Sequence, residues 1–109
     1  MAKYVLIETK SPLDGGRWAF ELGQQLRDLQ HDVTIYLLQD GVFSARRNFK
    51  TGEALVADAS KRGVRVVADE VSLRQRGVVG DRVAKDVEVR EMGDLVDLMM
   101  ERSDKAIWH

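Results

Sequence analysis

The sequence predicts a three-layer α/β/α sandwich built on a mainly parallel sheet of about five strands. Three observations carry this prediction. Tyr4–Ile7 is apolar at every position, as suits a strand buried on both faces rather than one. Trp18, Leu22, Leu26 and Leu29 follow at spacings of four, four and three, which is one face of an amphipathic helix. The same alternation of β-rich run and helical stripe then continues to the end of the chain, with no repeat, linker or low-complexity stretch. Residues 1–109 therefore read as a single domain.

The elements follow in order. After the first strand, Ser11-Pro12-Leu13-Asp14-Gly15-Gly16 combines the only proline with paired glycines and forms a loop. The helix that follows spans Gly16–Gln30, His31-Asp32 interrupts it, and Val33–Leu38 is a second strand closing at Gln39-Asp40-Gly41. Strand, helix and strand make a βαβ unit with the right-handed crossover such units adopt. Val42–Lys50 is less regular and reads as a loop with a helical turn. Thr51 or Gly52 caps a second helix, whose Leu55, Val56 and Ala59 face the sheet and which ends at Lys61-Arg62-Gly63. Val64–Ala68 is the third strand, Glu70–Arg76 a short helix, and Val87–Arg90 a shorter strand. Met92, Leu95, Val96 and Met99 form the last helical stripe, through about Arg102. Lys105–His109 reads as a terminal strand, because Ile107 and Trp108 would otherwise be exposed.

Composition excludes several function classes. Seventeen basic and eighteen acidic residues give a net charge of −1, so no global field draws the chain to nucleic acid or to a membrane. The apolar runs are too short to span a bilayer, and the first residues lack the pattern of a signal peptide, which points to a cytoplasmic protein. There is no cysteine, which removes disulfides, thiolate metal sites and thiol catalysis together. Of the two histidines, His31 stands at a helix end and His109 is the last residue, so no metal site and no cofactor are expected.

In a parallel sheet, sites collect beyond the carboxyl ends of the strands. The third strand runs there into Asp69, Ser72 and Arg76. Asp69 reads as a helix N-cap accepting from the N–H of Val71 or Ser72. The functional alternative makes Asp69, Ser72 and Arg76 a polar pocket for a small ligand, with Arg76 binding an anion or pairing with Asp69 or Asp81. As an enzyme, the same pocket would use Asp69 as acid or base. Ser72 lacks the G-x-S-x-G elbow of a serine hydrolase. Ser11 and Asp14 join the candidate pocket from the first loop, where backbone N–H groups and Arg17 could hold an anion. That loop lacks both phosphate-binding glycine spacings and reads first as a plain turn. Arg46, Arg47 and Lys50 are interleaved with Phe43 and Phe49, which suggests a solvated loop or a subunit contact rather than a nucleic-acid surface on so neutral a chain. Phe43, Arg46, Phe49 and Trp108 are the expected interface residues, since a small sandwich must cover its sheet edges and aromatics.

Three features together resemble the DsrE/DsrF-like sulfur-relay family. These are the opening strand, loop and helix, YVLIETKSPLDGGRWAFELGQQL; the D/E-G-V-x-x-A turn at Asp40-Gly41-Val42-Phe43-Ser44-Ala45; and the third strand with a short helix ending in Arg76-Gly77. The resemblance implies a small α/β protein assembled as a trimer or hexamer, homomeric or mixed with related subunits. It also implies that active members hold sulfur as a persulfide on a cysteine seven residues before the arginine of Arg-Gly. That position is Asp69 here, and the second cysteine of some members falls on Ser72. A carboxylate forms no persulfide. The expectation is a non-catalytic subunit that is associated with sulfur relay through partners.

Overall fold

The fold was obtained as a computed structural model, which describes residues 1–109, the side chain of Glu101 excepted. Five strands form one sheet: β1 (Lys3–Glu8), β2 (Asp32–Leu37), β3 (Arg65–Asp69), β4 (Glu88–Arg90) and β5 (Lys105–Trp108). Four α-helices connect them: α1 (Trp18–Asp28), α2 (Lys50–Lys61), α3 (Glu70–Gln75) and α4 (Met92–Glu101). All pairings are parallel and the order is β4-β3-β2-β1-β5. The chain thus steps outward from β1 to β4 and then recrosses the whole sheet through α4, to lay β5 on the free side of β1. The α/β class with a parallel five-stranded sheet is therefore as predicted.

The strand residues divide between two cores by their alternation. Leu6, Val33, Ile35, Leu37, Val66 and Ala68 point to one face and bury against Ala19 and Phe20 of α1 and Val56 and Ala59 of α2. Val5, Ile7, Tyr36 and Val67 point to the other and meet Leu95, Leu98 and Met99 of α4. Two long helices cover the first face, but among the described residues α4 is the only long helix on the second. Tyr36 ties the sheet to the start of α4, its buried hydroxyl donating to the Glu91 carbonyl at 3.0 Å. Burial above all, and then the Asp69 and Asp94 charges, pushes the Tyr36 phenol above its usual range.

The structure shifts several boundaries. Helix α1 begins at Trp18 rather than Gly16 and ends at Asp28 rather than Gln30. Helix α2 starts at Lys50 with Phe49 as N-cap, so neither Thr51 nor Gly52 caps it. Gly52 has a packing role instead: a Cβ there would stand 2.6 Å from the Ser44 carbonyl oxygen. The loop after β2 is a seven-residue 3-10 helix, Gln39–Ala45, which buries Val42 and Ala45 in the first core.

At the sheet's edge, Arg65 of β3 grips Glu88 of β4. Its Nη2 donates to Oε1 at 3.0 Å and its Nε donates to Oε2. The hydrogen bond from Arg65 holds the Glu88 carboxyl below its usual range, against partial burial that acts in the opposite sense. A carboxyl lowered on folding stabilises above its unfolded pKa, and that stability is lost as pH falls through the folded value. Glu88→Gln should therefore cost less than about 1 kcal/mol at pH 7, as exposed pairs do. The difference from wild type should close below about pH 4, where carboxylates protonate. Urea titrations at pH 7 and pH 3 check this, and an equal gap at both values would contradict it.

Candidate functional site

Asp69 ends β3 and, with extended backbone, serves as the N-cap of α3. Its Oδ2 accepts from the Ser72 backbone N–H at 2.9 Å and from the Ser72 hydroxyl at 2.8 Å. The Ser72 hydroxyl in turn accepts from the Gln39 N–H at 2.9 Å, which links the cap to the start of the 3-10 helix. Asp69 is 3% exposed and Ser72 6%. The other carboxylate oxygen, Oδ1, is buried and has no partner among the described residues. Arg76 does not pair with Asp69 or Asp81. Its Nε donates to Asp40 Oδ1 at 3.0 Å, and its Nη1 donates to the Ser72 carbonyl at 3.2 Å.

Asp69, Ser72 and Arg76 thus share one network with Gln39 and Asp40. Ser11 and Asp14 bond within their own loop: the Ser11 hydroxyl accepts from the Leu13 N–H, and its carbonyl accepts from the N–H groups of Asp14 and Gly16. Chemically, the network is committed to structure. Oδ2 of Asp69 is spent on the cap and the Ser72 hydroxyl, while Oδ1 is closed off from solvent without a partner among the described residues. Surface clefts lie elsewhere. One of about 430 Å³ separates α1 from α2 and is lined by Arg17, Phe20, Leu55 and Arg62. Another, of about 350 Å³, lies beside α3 among Leu73, Val78, Val83 and Val89.

A second polar arrangement was not anticipated from the sequence. β5 lies parallel beside β1, so their carboxyl ends meet at the same edge of the sheet. Glu8 ends β1 there and is fully buried. Its carboxylate accepts from the N–H of Ala19, in the first turn of α1, at 3.3 Å and from that of Lys10 at 3.2 Å. His109 Nδ1 lies 2.8 Å from Oε2 and 3.0 Å from Oε1. A carboxylate only accepts, so Nδ1 is the donor in this pair. The imidazole also stacks on Trp18, with ring centroids 4.5 Å apart. The negative charge sits at the amino end of α1, where the helix dipole favours it and where Arg17 provides no side-chain cap. The carboxylate–imidazole pair orients a histidine in the way general bases are oriented, while it also fastens the end of β5 to β1.

The other histidine is an acceptor. His31 Nδ1 takes the Ala2 N–H at 3.0 Å, so that nitrogen carries no proton, and the ring meets Tyr4 edge-on. Of the expected interface residues, Phe43 and Phe49 are half-buried and Arg46 is exposed. Trp108 corrects an expectation. The terminal strand does form, but Ile107 is only half-buried against the first core, and Trp108 stays 58% exposed beside Ile7 on the second face. Among the described residues no group of three or more histidines, cysteines or carboxylates is placed to hold a metal ion. Among the described residues no helix is long and apolar enough to cross a membrane.

These features define a small parallel α/β protein whose third strand ends in a helix cap at the carboxyl edge of the sheet. The DsrE/DsrF-like family model matches residues 2–108, and the chain belongs to that family. No curated protein matches it. Among solved structures it is similar to the YchN protein from E. coli, with a TM-score of 0.82 at 18% identity over 100% of both chains. It is similar too to MTH1491 from Methanobacterium thermoautotrophicum, a protein of unknown function, with a TM-score of 0.80 at 22% identity over 100% of both chains. BT1422 from Bacteroides thetaiotaomicron matches with a TM-score of 0.74 at 16% identity, over 99% of this chain and 95% of that one. At these identities the likeness is one of fold.

Proposed function

We propose that this DsrE-like chain is a non-catalytic subunit that acts by assembling, with copies of itself or with related subunits, in sulfur relay. The observation that supports this reading most is the absence of cysteine from all 109 positions. The position where the family resemblance expects the sulfur-carrying thiol is Asp69, and Asp69 is committed to the α3 cap. No other side chain in the sequence can hold sulfane sulfur as a persulfide. What the chain retains is the fold, together with an exposed Trp108 and a loop in which Phe43 and Phe49 alternate with cations. The alternative of a ligand pocket or acid–base site at Asp69, Ser72 and Arg76 gains no support from a carboxylate that is 3% exposed.

The test has two parts. Light scattering of the purified chain at micromolar concentration should give a multiple of 12.3 kDa, trimeric or hexameric. With a cysteine-bearing DsrE-like subunit and labelled sulfane sulfur, the two chains should co-elute with all label on the partner. Monomeric mass together with no co-elution would overturn the reading.

A further inference from the structure

The α4 helix is apolar on two sides. Leu95, Leu98 and Met99 face the sheet. Met92, Val96 and Met100 recur at intervals of four, which places them in one row along the helix. They are 47%, 49% and 78% exposed. Sheet packing accounts for the first row and leaves the second without an intramolecular role. Three large apolar side chains in a continuous row are a contact surface in a way that scattered ones are not.

Charge identifies what fits this row. From Glu91 to Glu101 the sequence carries four carboxylates and no cation. Asp94 and Asp97 are exposed and make no ion pair among the described residues. The converse surface lies on the same molecule. Between Gly41 and Thr51 there is no carboxylate, and Arg46, Arg47 and Lys50 are exposed and make no ion pair among the described residues. Half-buried Phe43 and Phe49 stand among them. This segment leads into α2 on the first face of the sheet, whereas α4 packs on the second. One patch is apolar and acidic, the other aromatic and basic, and a chain of net charge −1 has separated them.

We propose that the Met92–Val96–Met100 row of α4 docks on the Phe43–Lys50 segment of a second copy of this chain. The contact is heterologous: each subunit uses two different patches, so assembly continues from copy to copy instead of stopping at a two-fold pair. The apolar rows supply the buried area, and the opposed charges set orientation and exclude the like-charged α4-to-α4 alternative. This inference rests on the oligomeric reading above and assigns that reading its surfaces.

Complementation tests it. One variant, Val96→Lys/Met100→Lys, spoils the α4 patch and keeps the basic segment. The other, Arg46→Glu/Arg47→Glu/Lys50→Glu, does the reverse. All five positions are exposed, so both variants should keep the wild-type circular dichroism. Each alone should run at a smaller mass than wild type by light scattering. Mixed in equal amounts, they should form a species larger than either, because one intact patch of each kind remains. Variants that retain wild-type mass, or a mixture no larger than its components, would overturn the proposal while leaving the oligomeric reading intact. A monomeric wild type would overturn both.

Discussion

Replacing Glu8 by alanine is expected to cost about 3 kcal/mol or more of unfolding free energy, the largest loss foreseen for a single side chain here. The carboxylate is fully buried and accepts from two backbone N–H groups and from the His109 ring. Alanine would strand the N–H groups of Ala19 and Lys10, and would remove the anion that the first turn of α1 is built around. The loss should be smaller for Glu8→Gln, whose amide oxygen still accepts from one N–H. His109→Ala should cost about 1 kcal/mol, the order of one hydrogen bond, because the imidazole is partly exposed and both backbone donors remain. Urea unfolding followed by circular dichroism ranks the three. A Glu8→Ala loss within about 1 kcal/mol would mean that the buried carboxylate is not the anchor described, since an orphaned buried N–H alone costs that much.

Gly41→Ala is the second large expectation. The 3-10 helix passes so close to the end of β1 that a Cβ on Gly41 would lie 2.1 Å from the Glu8 carbonyl oxygen. That oxygen accepts from the Leu38 N–H at 2.9 Å, so neither backbone can give without breaking the link between β1 and the segment after β2. Overpacking of well-packed interiors typically costs 1–3 kcal/mol, and a clash between two backbones should reach about 3 or beyond. The expected result is a fall in the thermal midpoint of at least about 12 °C, as about 4–8 °C per kcal/mol applies at this size. A midpoint within about 2 °C of wild type would contradict the close approach.

Gly41 also shows why some of the fold was legible in sequence and some was not. The five strands and four helices announce themselves through local periodicity, because burial of one or two faces writes itself into neighbouring residues. The Asp69 cap was legible for the same reason: donor and acceptor stand three residues apart. Gly41 and Gly52 were readable only as glycines, since what excludes their side chains is the backbone of Glu8 and of Ser44. Hence local pattern offers Thr51 or Gly52 as a helix cap, and shows only a loop with a helical turn where the 3-10 helix lies. Arg76 finds Asp40 across 36 positions and Glu8 finds His109 across 101. No spacing rule reaches so far. The second pair depends on β5 crossing to the free side of β1 and setting Ile7 opposite Trp108. A buried glutamate ending an otherwise apolar strand was the one available signal, since such a charge requires a partner.

The family assignment gives the fold its setting, and the sequence has no thiol on which to hold sulfur as a persulfide. The central claim is therefore about assembly, and the mass of the purified chain in solution tests it most directly. Light scattering across micromolar concentrations should give a stable multiple of 12.3 kDa. A mass of 12.3 kDa at every concentration, unchanged when a cysteine-bearing DsrE-like subunit is added, would contradict it.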